Sequence, residues 1–214
     1  VKSYAAAVQG ISATVVTVEV NCSKGIQFFL VGLPDVAVRE SHERIISALQ
    51  VCGYKFPRNR IVINMAPADI RKEGSSYDLP LAIGILAAAE QIDSSNLSKF
   101  VLMGELSMDG SLQAIKGALP IANKAREEGF KGFILPKQHA CEAAVVNDLE
   151  VYGASNIKEV LEFMEGKPTL RPTVIDTRKE FYDRQQLFDC DFSDVRGQEN
   201  VKRAMEVAAA GGHN

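Results

Sequence analysis

The residues with the clearest chemical potential are basic side chains between positions 39 and 72. They are Arg39, Arg44, Lys55, Arg58, Arg60, Arg71 and Lys72, and the aromatic residues Tyr54, Phe56 and Tyr77 lie near them. Arginine and lysine can contact a phosphate backbone, and aromatic rings can stack on single-stranded bases. Solvated charges balanced by Glu40, Glu43 and Glu73, with the aromatic rings in the core, are the alternative interpretation. We select Arg58, Arg60, Arg71 and Lys72 as candidate nucleic-acid-binding residues.

Composition excludes several other kinds of site. The net charge is −3, and no apolar run reaches the roughly 18 residues of a membrane span. The cysteines and histidines form no CxxC pair or other metal-ligand spacing, so we expect no metal site and a reduced, cytoplasmic compartment. These residues are Cys22, Cys52, Cys141, Cys190, His42, His139 and His213. No GxxxxGK[ST] phosphate loop occurs, so we expect no ATP hydrolysis and no bound cofactor in this chain.

Strand and helix patterns alternate along the chain and predict a mixed α/β fold. Strands are predicted from Ser12 to Val20 and in IQFFLVGLP, RIVINMAPAD, KFVLMGELSMDG, FKGFILP and LEVYGAS. Helices are predicted in DVAVRESHERIISALQVCG, SYDLPLAIGILAAAEQI, ALPIANKAREEG and NIKEVLEFMEG. The second of these helices is apolar nearly all round, which indicates a central, buried position. We predict a domain over 1–166, a proline-containing and charged linker over 167–190, and an amphipathic helix within 191–214.

Several separate motifs resemble known families. GELSMDGSLQAIKGALPIANKAREEGFKGFILPKQ, followed by LEVYGASNIKEVLEFM, resembles the C-terminal proteolytic domain of Lon proteases. In combination with VGLPDVAVRESHERI and INMAPADIRKEGSSYDLP, it resembles the ComM/YifB family of magnesium-chelatase-like AAA+ ATPases. The resemblance implies the Lon-type fold, which is also that of the second domain of ribosomal protein S5. It also implies that DVRGQENVKRAMEVAAAGGHN, in 191–214, begins an incomplete AAA+ module whose phosphate loop would follow Asn214.

The Lon resemblance places Ser76, in KEGSSYDL, at the position of the catalytic serine. A serine nucleophile needs a base within hydrogen-bond reach. The position of Lon's catalytic lysine falls on Leu119, which helical spacing assigns to core packing with Ala122 and Ala125, and the nearest amines are Lys116 and Lys124. A turn or capping hydroxyl is therefore the favoured interpretation of Ser76. We expect no catalytic residues and no peptidase activity.

The residue after this loop also departs from the Lon pattern. Asp78 stands where Lon has a small residue, at the beginning of the predicted apolar helix. Aspartate is common at helix N-caps, because its carboxylate accepts a hydrogen bond from the first free backbone N–H groups. We therefore expect Asp78 to cap this helix.

The family resemblance implies a hexameric motor that acts on DNA, of the branch-migration helicase type used in natural transformation. ATP and Mg²⁺ would bind the part that follows, and this domain would serve ring assembly or DNA contact, with Arg58, Arg60, Arg71 and Lys72 as the DNA surface. A Lon-related serine peptidase using Ser76 is the alternative. A magnesium chelatase subunit that inserts metal into a porphyrin is the lesser one.

Overall fold

A computed structural model describes residues 1–175 and 192–212. The chain divides into two compact units, Val1–Ile175 and Asp176–Asn214. The first unit extends beyond the boundary predicted at Gly166, because Leu170 is buried and the backbone N–H of Thr173 donates to the Val151 carbonyl at 2.7 Å. Most of the predicted linker, 176–190, lies outside the described residues.

The first unit is built on one mixed sheet of seven strands in the order β3-β4-β2-β1-β5-β8-β9. Only β2 is antiparallel to its neighbours, and every other strand of the sheet runs in one direction. A short antiparallel pair, β6 and β7, stands beside it. The strands are β1 Lys2–Gln9, β2 Ser12–Ser23, β3 Gln27–Val31, β4 Arg60–Ala66, β5 Phe100–Leu102, β6 Glu105–Leu106, β7 Leu112–Gln113, β8 Gly132–Pro136 and β9 Glu150–Ala154.

Helices join the parallel strands. Those of the first unit are α1 Val36–Arg39, α2 Ser41–Val51, α3 Asp78–Ala88, α4 Ala118–Glu127, α5 Ala140–Ala143 and α6 Ile157–Met164. The predicted helix that begins after Asp35 is two helices, α1 and α2, with Glu40 between them. Single 3₁₀ turns occupy Ser75–Tyr77, Leu97–Lys99, Lys137–His139 and, in the second unit, Phe192–Asp194. The mixed α/β class predicted from the sequence is confirmed.

Helix α3 is the centre of the core, as its apolar sequence predicts. Every residue from Asp78 to Ala87 is buried, and the helix packs on β1 and β2. Gly84 permits this close approach: a Cβ atom there would lie 2.9 Å from a methyl carbon of Val20 and 3.1 Å from the Ser3 hydroxyl. The 3₁₀ turn Ser75–Tyr77 directly precedes α3 and contacts it.

The second unit contributes one long helix, α7 Glu199–Gly211. This matches the amphipathic helix predicted within 191–214. Its ends lie at Gln198 and Gly212, both in the left-handed backbone region. No residue of α7 is buried, and its apolar side chains Val201, Met205 and Val207 are all exposed.

Candidate functional site

A cleft of about 940 Å³ lies where the parallel strands β1, β3, β4 and β5 end. Ligands of α/β proteins bind characteristically at the carboxyl ends of the strands, because the loops that follow them converge there. The last residues of β1 form one wall and the loop before α3 forms another. The remaining lining comes from Asp35 after β3, Met103 after β5, Glu105 in β6, and the 114–117 segment before α4.

The loop that carries Ser76 is held by hydrogen bonds from both sides. Asp35 caps α1 by accepting from the Val38 N–H at 2.8 Å, and its other carboxylate oxygen accepts from the Gly74 N–H at 2.9 Å. The Gly104 N–H donates to the Ser76 carbonyl at 2.8 Å. Ser76 is therefore fixed at the cleft wall through its backbone. Within the part of the chain that the structure describes, its hydroxyl group has no hydrogen-bond partner.

Lys116 lines the same cleft, immediately before Gly117 and the first turn of α4. The structure thus brings a serine hydroxyl and a lysine amine to one cavity. Lys124 is not part of it: its ammonium group pairs with Glu128 at 2.8 Å and Glu127 at 3.5 Å, and these carboxylates, led by Glu128, raise its pKa. A raised pKa makes Lys124 a poorer general base.

Leu119 does not pack in the core as helical spacing predicts. Its side chain is 38% exposed, whereas Ala122 and Ala125, on the same helix, are buried. Its backbone N–H donates to the Glu142 carboxylate at 3.2 Å. Leu119 therefore places no cation at this position and is not a buried core residue.

The rest of the cleft is polar and carries both signs of charge. Glu105 accepts a hydrogen bond from the Ser75 hydroxyl. Arg71 pairs with Glu73 at 3.3 Å, and both side chains are exposed. With Asp35 and Lys116, these groups give the cleft donors and acceptors suited to a polar ligand rather than to an apolar one.

Asp78 does not cap α3. It is the first residue of the helix, fully buried, and its carboxylate pairs with the Arg44 guanidinium through contacts of 2.7 and 3.0 Å. It also accepts from the Leu106 N–H at 3.1 Å. Burial raises the pKa of Asp78, and the hydrogen bond from Arg44 opposes that rise. This ion pair joins α2, α3 and β6, and local sequence carried no signal for it.

The four candidate DNA-binding residues do not form one surface. Arg58 and Arg60 are exposed at the beginning of β4, and Arg71 is exposed beyond its other end. A seven-residue strand spans roughly 20 Å, so Arg60 and Arg71 stand at opposite ends of the sheet.

The placement of Lys72 on an exposed surface is wrong. Its side chain is fully buried, and its ammonium group donates to the Pro67 carbonyl. Burial lowers the pKa of Lys72, against the attraction of Asp69. A phosphate cannot reach an ammonium group that has no exposed surface, so Lys72 is a structural residue of the loop after β4.

Two further features bear on the kind of protein. Across 1–175 and 192–212, no three histidine, cysteine or acidic side chains are grouped as metal ligands would be. None of the described helices is both long enough and apolar enough to span a membrane. Cys190 and His213 lie outside the described residues.

The seven-stranded sheet and the buried α3 make the first unit a mixed α/β domain, and similarity to a Lon protease is consistent with the Lon-type fold. Lon protease 2 of Bacillus subtilis is 29% identical over 145 residues, which cover 65% of this chain and 25% of that protein. Lon likeness therefore extends over most of the first unit and stops short of the whole chain.

More extensive similarity identifies the family. The family described as subunit ChlI of magnesium chelatase matches residues 18–139, and the family described as magnesium chelatase, subunit ChlI, matches residues 191–214. Competence protein ComM of Haemophilus influenzae is 40% identical over 215 aligned positions, covering 99% of this chain and 42% of ComM. YifB of Escherichia coli is 41% identical over 207, covering 96% of this chain and 40% of YifB.

The chain belongs to the magnesium-chelatase-like ComM/YifB family. The resemblance inferred from its motifs is confirmed. The chain spans about two-fifths of the length of ComM and of YifB.

Proposed function

We propose that this chain is the non-proteolytic Lon-like part of a magnesium-chelatase-like AAA+ ATPase that acts on DNA by branch migration during natural transformation. The observation that carries the proposal is the match to competence protein ComM over 99% of the chain. Competence is the state in which a cell takes up DNA, so the name of this relative supports a DNA substrate.

ATP and Mg²⁺ belong, in this proposal, to a module that begins within 191–214. The match of that segment to the magnesium chelatase family supports this assignment. Neither a phosphate loop nor a metal-ligand spacing occurs in the 214 residues. The Lon-like domain would then serve assembly of a cytoplasmic hexameric ring, or contact with DNA.

The test uses the complete protein, with the ATPase module attached. A labelled four-way DNA junction is incubated with ATP and Mg²⁺, and strand products are separated on a gel. We expect ATP-dependent conversion of the junction, lost when the phosphate-loop lysine of the module is replaced. Junctions that stay intact with active, ATP-hydrolysing protein would refute the proposal.

A serine peptidase is the second candidate, because Ser76 and Lys116 line one cleft. Three observations weigh against it. Leu119 occupies the position of Lon's catalytic lysine. Asp78, which stands where Lon has a small residue, is ion-paired with Arg44, and Lys124 is paired with carboxylates. We therefore expect the cleft to have no hydrolytic activity.

An active-site hydroxyl reagent and a labelled unfolded protein substrate test this expectation. Wild-type chain, Ser76→Ala and Lys116→Met are compared with the control variants Ser94→Ala and Lys124→Met. We expect no hydrolysis and no labelling in any of them. Hydrolysis abolished by Ser76→Ala and Lys116→Met, but kept in both controls, would establish the peptidase instead.

Metal insertion into a porphyrin is the third candidate, and the descriptions of the matching families favour it. The complete protein would then catalyse ATP-dependent metallation of a porphyrin. We expect no such activity, because most of this chain is the Lon-like domain. Porphyrin absorbance in the presence of ATP and Mg²⁺ measures it directly.

A further inference from the structure

Four basic residues meet at the amino-terminal edge of the sheet, opposite the cleft that holds Ser76. They are Lys24, Lys55, Arg58 and Arg60, and we call this surface the basic end. Strand pairing assembles it: Arg60 opens β4 and is the register partner of both Ser23, the last residue of β2, and Gln27, the first residue of β3. Lys24, in the turn between β2 and β3, therefore lies beside Arg60.

Carboxylates do not neutralise the charges of the basic end, and one of these charges, the Arg60 guanidinium, lies over the Phe29 ring at 5.3 Å from the ring centroid. All four side chains are exposed, and none has a carboxylate partner among residues 1–175 and 192–212. The net charge of the chain is −3, so this concentration of positive charge is local. A local basic surface on an acidic protein orients a polyanion toward that surface.

An aromatic cleft of about 590 Å³ adjoins these charges. Its lining comprises Gln50, Tyr54, Lys55, Phe56, Pro57, Arg58 and Gln91. Both rings are half-buried, so each one is anchored at one side and accessible at another. The Phe56 ring meets the His42 ring edge to face, with centroids 5.1 Å apart and an interplanar angle of 88°.

The backbone of this cleft is held in place. The Tyr54 N–H donates to the Leu49 carbonyl at 2.9 Å, and the Gln91 side-chain amide donates to the Lys55 carbonyl at 2.8 Å. The Tyr54 hydroxyl donates to Glu165 at 3.3 Å, and the charge of Glu165 is in turn offset by Lys167 at 3.1 Å. The backbone at Tyr54 and Lys55 and the Tyr54 ring are therefore preorganised, which reduces the entropy cost of binding.

We propose that the basic end binds single-stranded DNA. Lys55, Arg58 and Arg60 contact successive phosphates, and a base stacks on Phe56 or Tyr54 in the adjoining cleft. Aromatic rings beside a basic groove favour a single strand, because a duplex buries the base faces that such rings would stack on. This site would supply the DNA contact of the proposed function. The choice of DNA as the ligand rests on that function.

Fluorescence anisotropy with a labelled 20-nucleotide dT strand and a 20-base-pair duplex tests the site on the 214-residue chain. The variants are the double charge reversal Arg58→Glu/Arg60→Glu and the ring removal Phe56→Leu. Their matched controls are Arg126→Glu, an exposed cation on α4, and Phe130→Leu, a half-buried ring that contacts Tyr4 instead. Thermal unfolding verifies that each variant is folded.

We expect single-strand binding that weakens as salt is raised. The double reversal should weaken it about tenfold or more and flatten the slope of log K against log[salt] by about 1.4, since each phosphate contact on a single strand contributes about 0.7. Phe56→Leu should weaken it about fivefold or more, the low end of a lost stacking contact. Both controls should stay within about twofold of wild type, as substitutions away from the contact do.

Three outcomes would overturn the site. The first is the absence of single-strand binding, and the second is single-strand binding that the double reversal and Phe56→Leu leave unchanged. The third is duplex binding that is as tight as single-strand binding, with neither affected by Phe56→Leu. None of these outcomes decides the proposed motor activity, because junction conversion by the complete protein measures that separately.

Discussion

At the scale of single residues, Lys72 is a charged side chain with a structural role, because it connects two loops by hydrogen bonds. Its backbone N–H donates to the Leu33 carbonyl at 3.2 Å, and its own carbonyl accepts from the Asp35 N–H at 3.0 Å. Its ammonium group reaches back to the Pro67 carbonyl. Lys72 thereby joins the loops after β3 and β4, and Asp35 extends the connection to Gly74, two residues from Ser76.

Lys72→Met should change how stability depends on pH. Burial lowers the pKa of Lys72 below its ordinary value of 10.5, so between the two values the unfolded chain holds more protons than the folded one. Wild-type stability should therefore rise, relative to Lys72→Met, as pH increases toward 10.5. Urea unfolding at pH 7, 8.5 and 10 measures this. Lys158→Met, at an exposed lysine, is the control, and a difference from Lys72→Met that does not change with pH would contradict the prediction.

Breaking the Arg44–Asp78 ion pair should lower the free energy of unfolding. Asp78 is fully buried, so Arg44→Met leaves a carboxylate with only the Leu106 N–H as partner. Loss of one member of a buried pair costs about 3 to 5 kcal/mol, whereas an exposed pair contributes about 0 to 1 kcal/mol. Urea unfolding of Arg44→Met and of the exposed-pair control Arg71→Met should separate these values. Equal losses would show that the Asp78 carboxylate is compensated elsewhere.

At the scale of elements, sequence patterns predicted what depends on local periodicity. The apolar run of α3 predicted burial, and the stretch DVAVRESHERIISALQVCG predicted the limits of the α1–α2 segment. Strand β1 was not predicted, because its buried centre is Ala5–Ala7, and alanine has little strand preference. The residue pairs that shape the site lie far apart in sequence, as with Arg44 and Asp78, so no local pattern could indicate them.

The four candidate DNA-binding residues are separated for a related reason: sequence spacing does not show which way the chain runs between them. Arg58 and Arg60 are two residues apart and remain together, whereas Arg71 and Lys72 lie beyond the other end of β4. Strand β4 lies between the two pairs of residues and places Arg58 and Arg60 at the basic end and Arg71 at the Ser76 cleft.

Gly84→Ala should destabilise the packing of α3 on the sheet. An alanine at a helix interior gains about 1 kcal/mol of helix propensity over glycine. Its methyl group would lie 2.9 Å from a buried methyl carbon of Val20, and such overpacking costs about 1 to 3 kcal/mol. We expect a net loss of about 1 kcal/mol in urea unfolding. The double variant Gly84→Ala/Val20→Ala supplies the missing room, so its loss should be smaller than the sum of the two single losses; strict additivity would contradict the packing argument.

At the scale of the whole molecule, the sheet keeps two surfaces apart. The Ser76 cleft lies at the carboxyl ends of the parallel strands, and the basic end lies at their amino ends. Substitutions at one should therefore leave the other intact, since sites more than about 10 Å apart with no shared partners act independently. Hydrolytic and DNA-binding assays on the same variants can thus be interpreted separately.

The compact unit itself gives the last prediction, on where the domain ends. A chain ending at Ile175 keeps Leu170 in the core, the hydrogen bond from Thr173 N–H to Val151, and that from the Thr169 hydroxyl to the Glu159 carbonyl at 3.0 Å. A chain ending at Gly166 loses all three.

Burial of one leucine contributes about 1.5 to 3 kcal/mol, and each hydrogen bond about 0.5 to 1.5 kcal/mol. These contributions sum to about 2.5 to 6 kcal/mol, and the entropy lost in ordering the 167–175 segment offsets part of that sum. We therefore expect the 1–166 chain to be about 2 to 4 kcal/mol less stable in urea than the 1–175 chain. Leu170→Ala in the longer chain is the control and should account for most of the loss, because the leucine is the larger contribution. Equal midpoints for the two chains would place the end of the folded domain at Gly166 and make the 167–175 segment an appendage without energetic consequence.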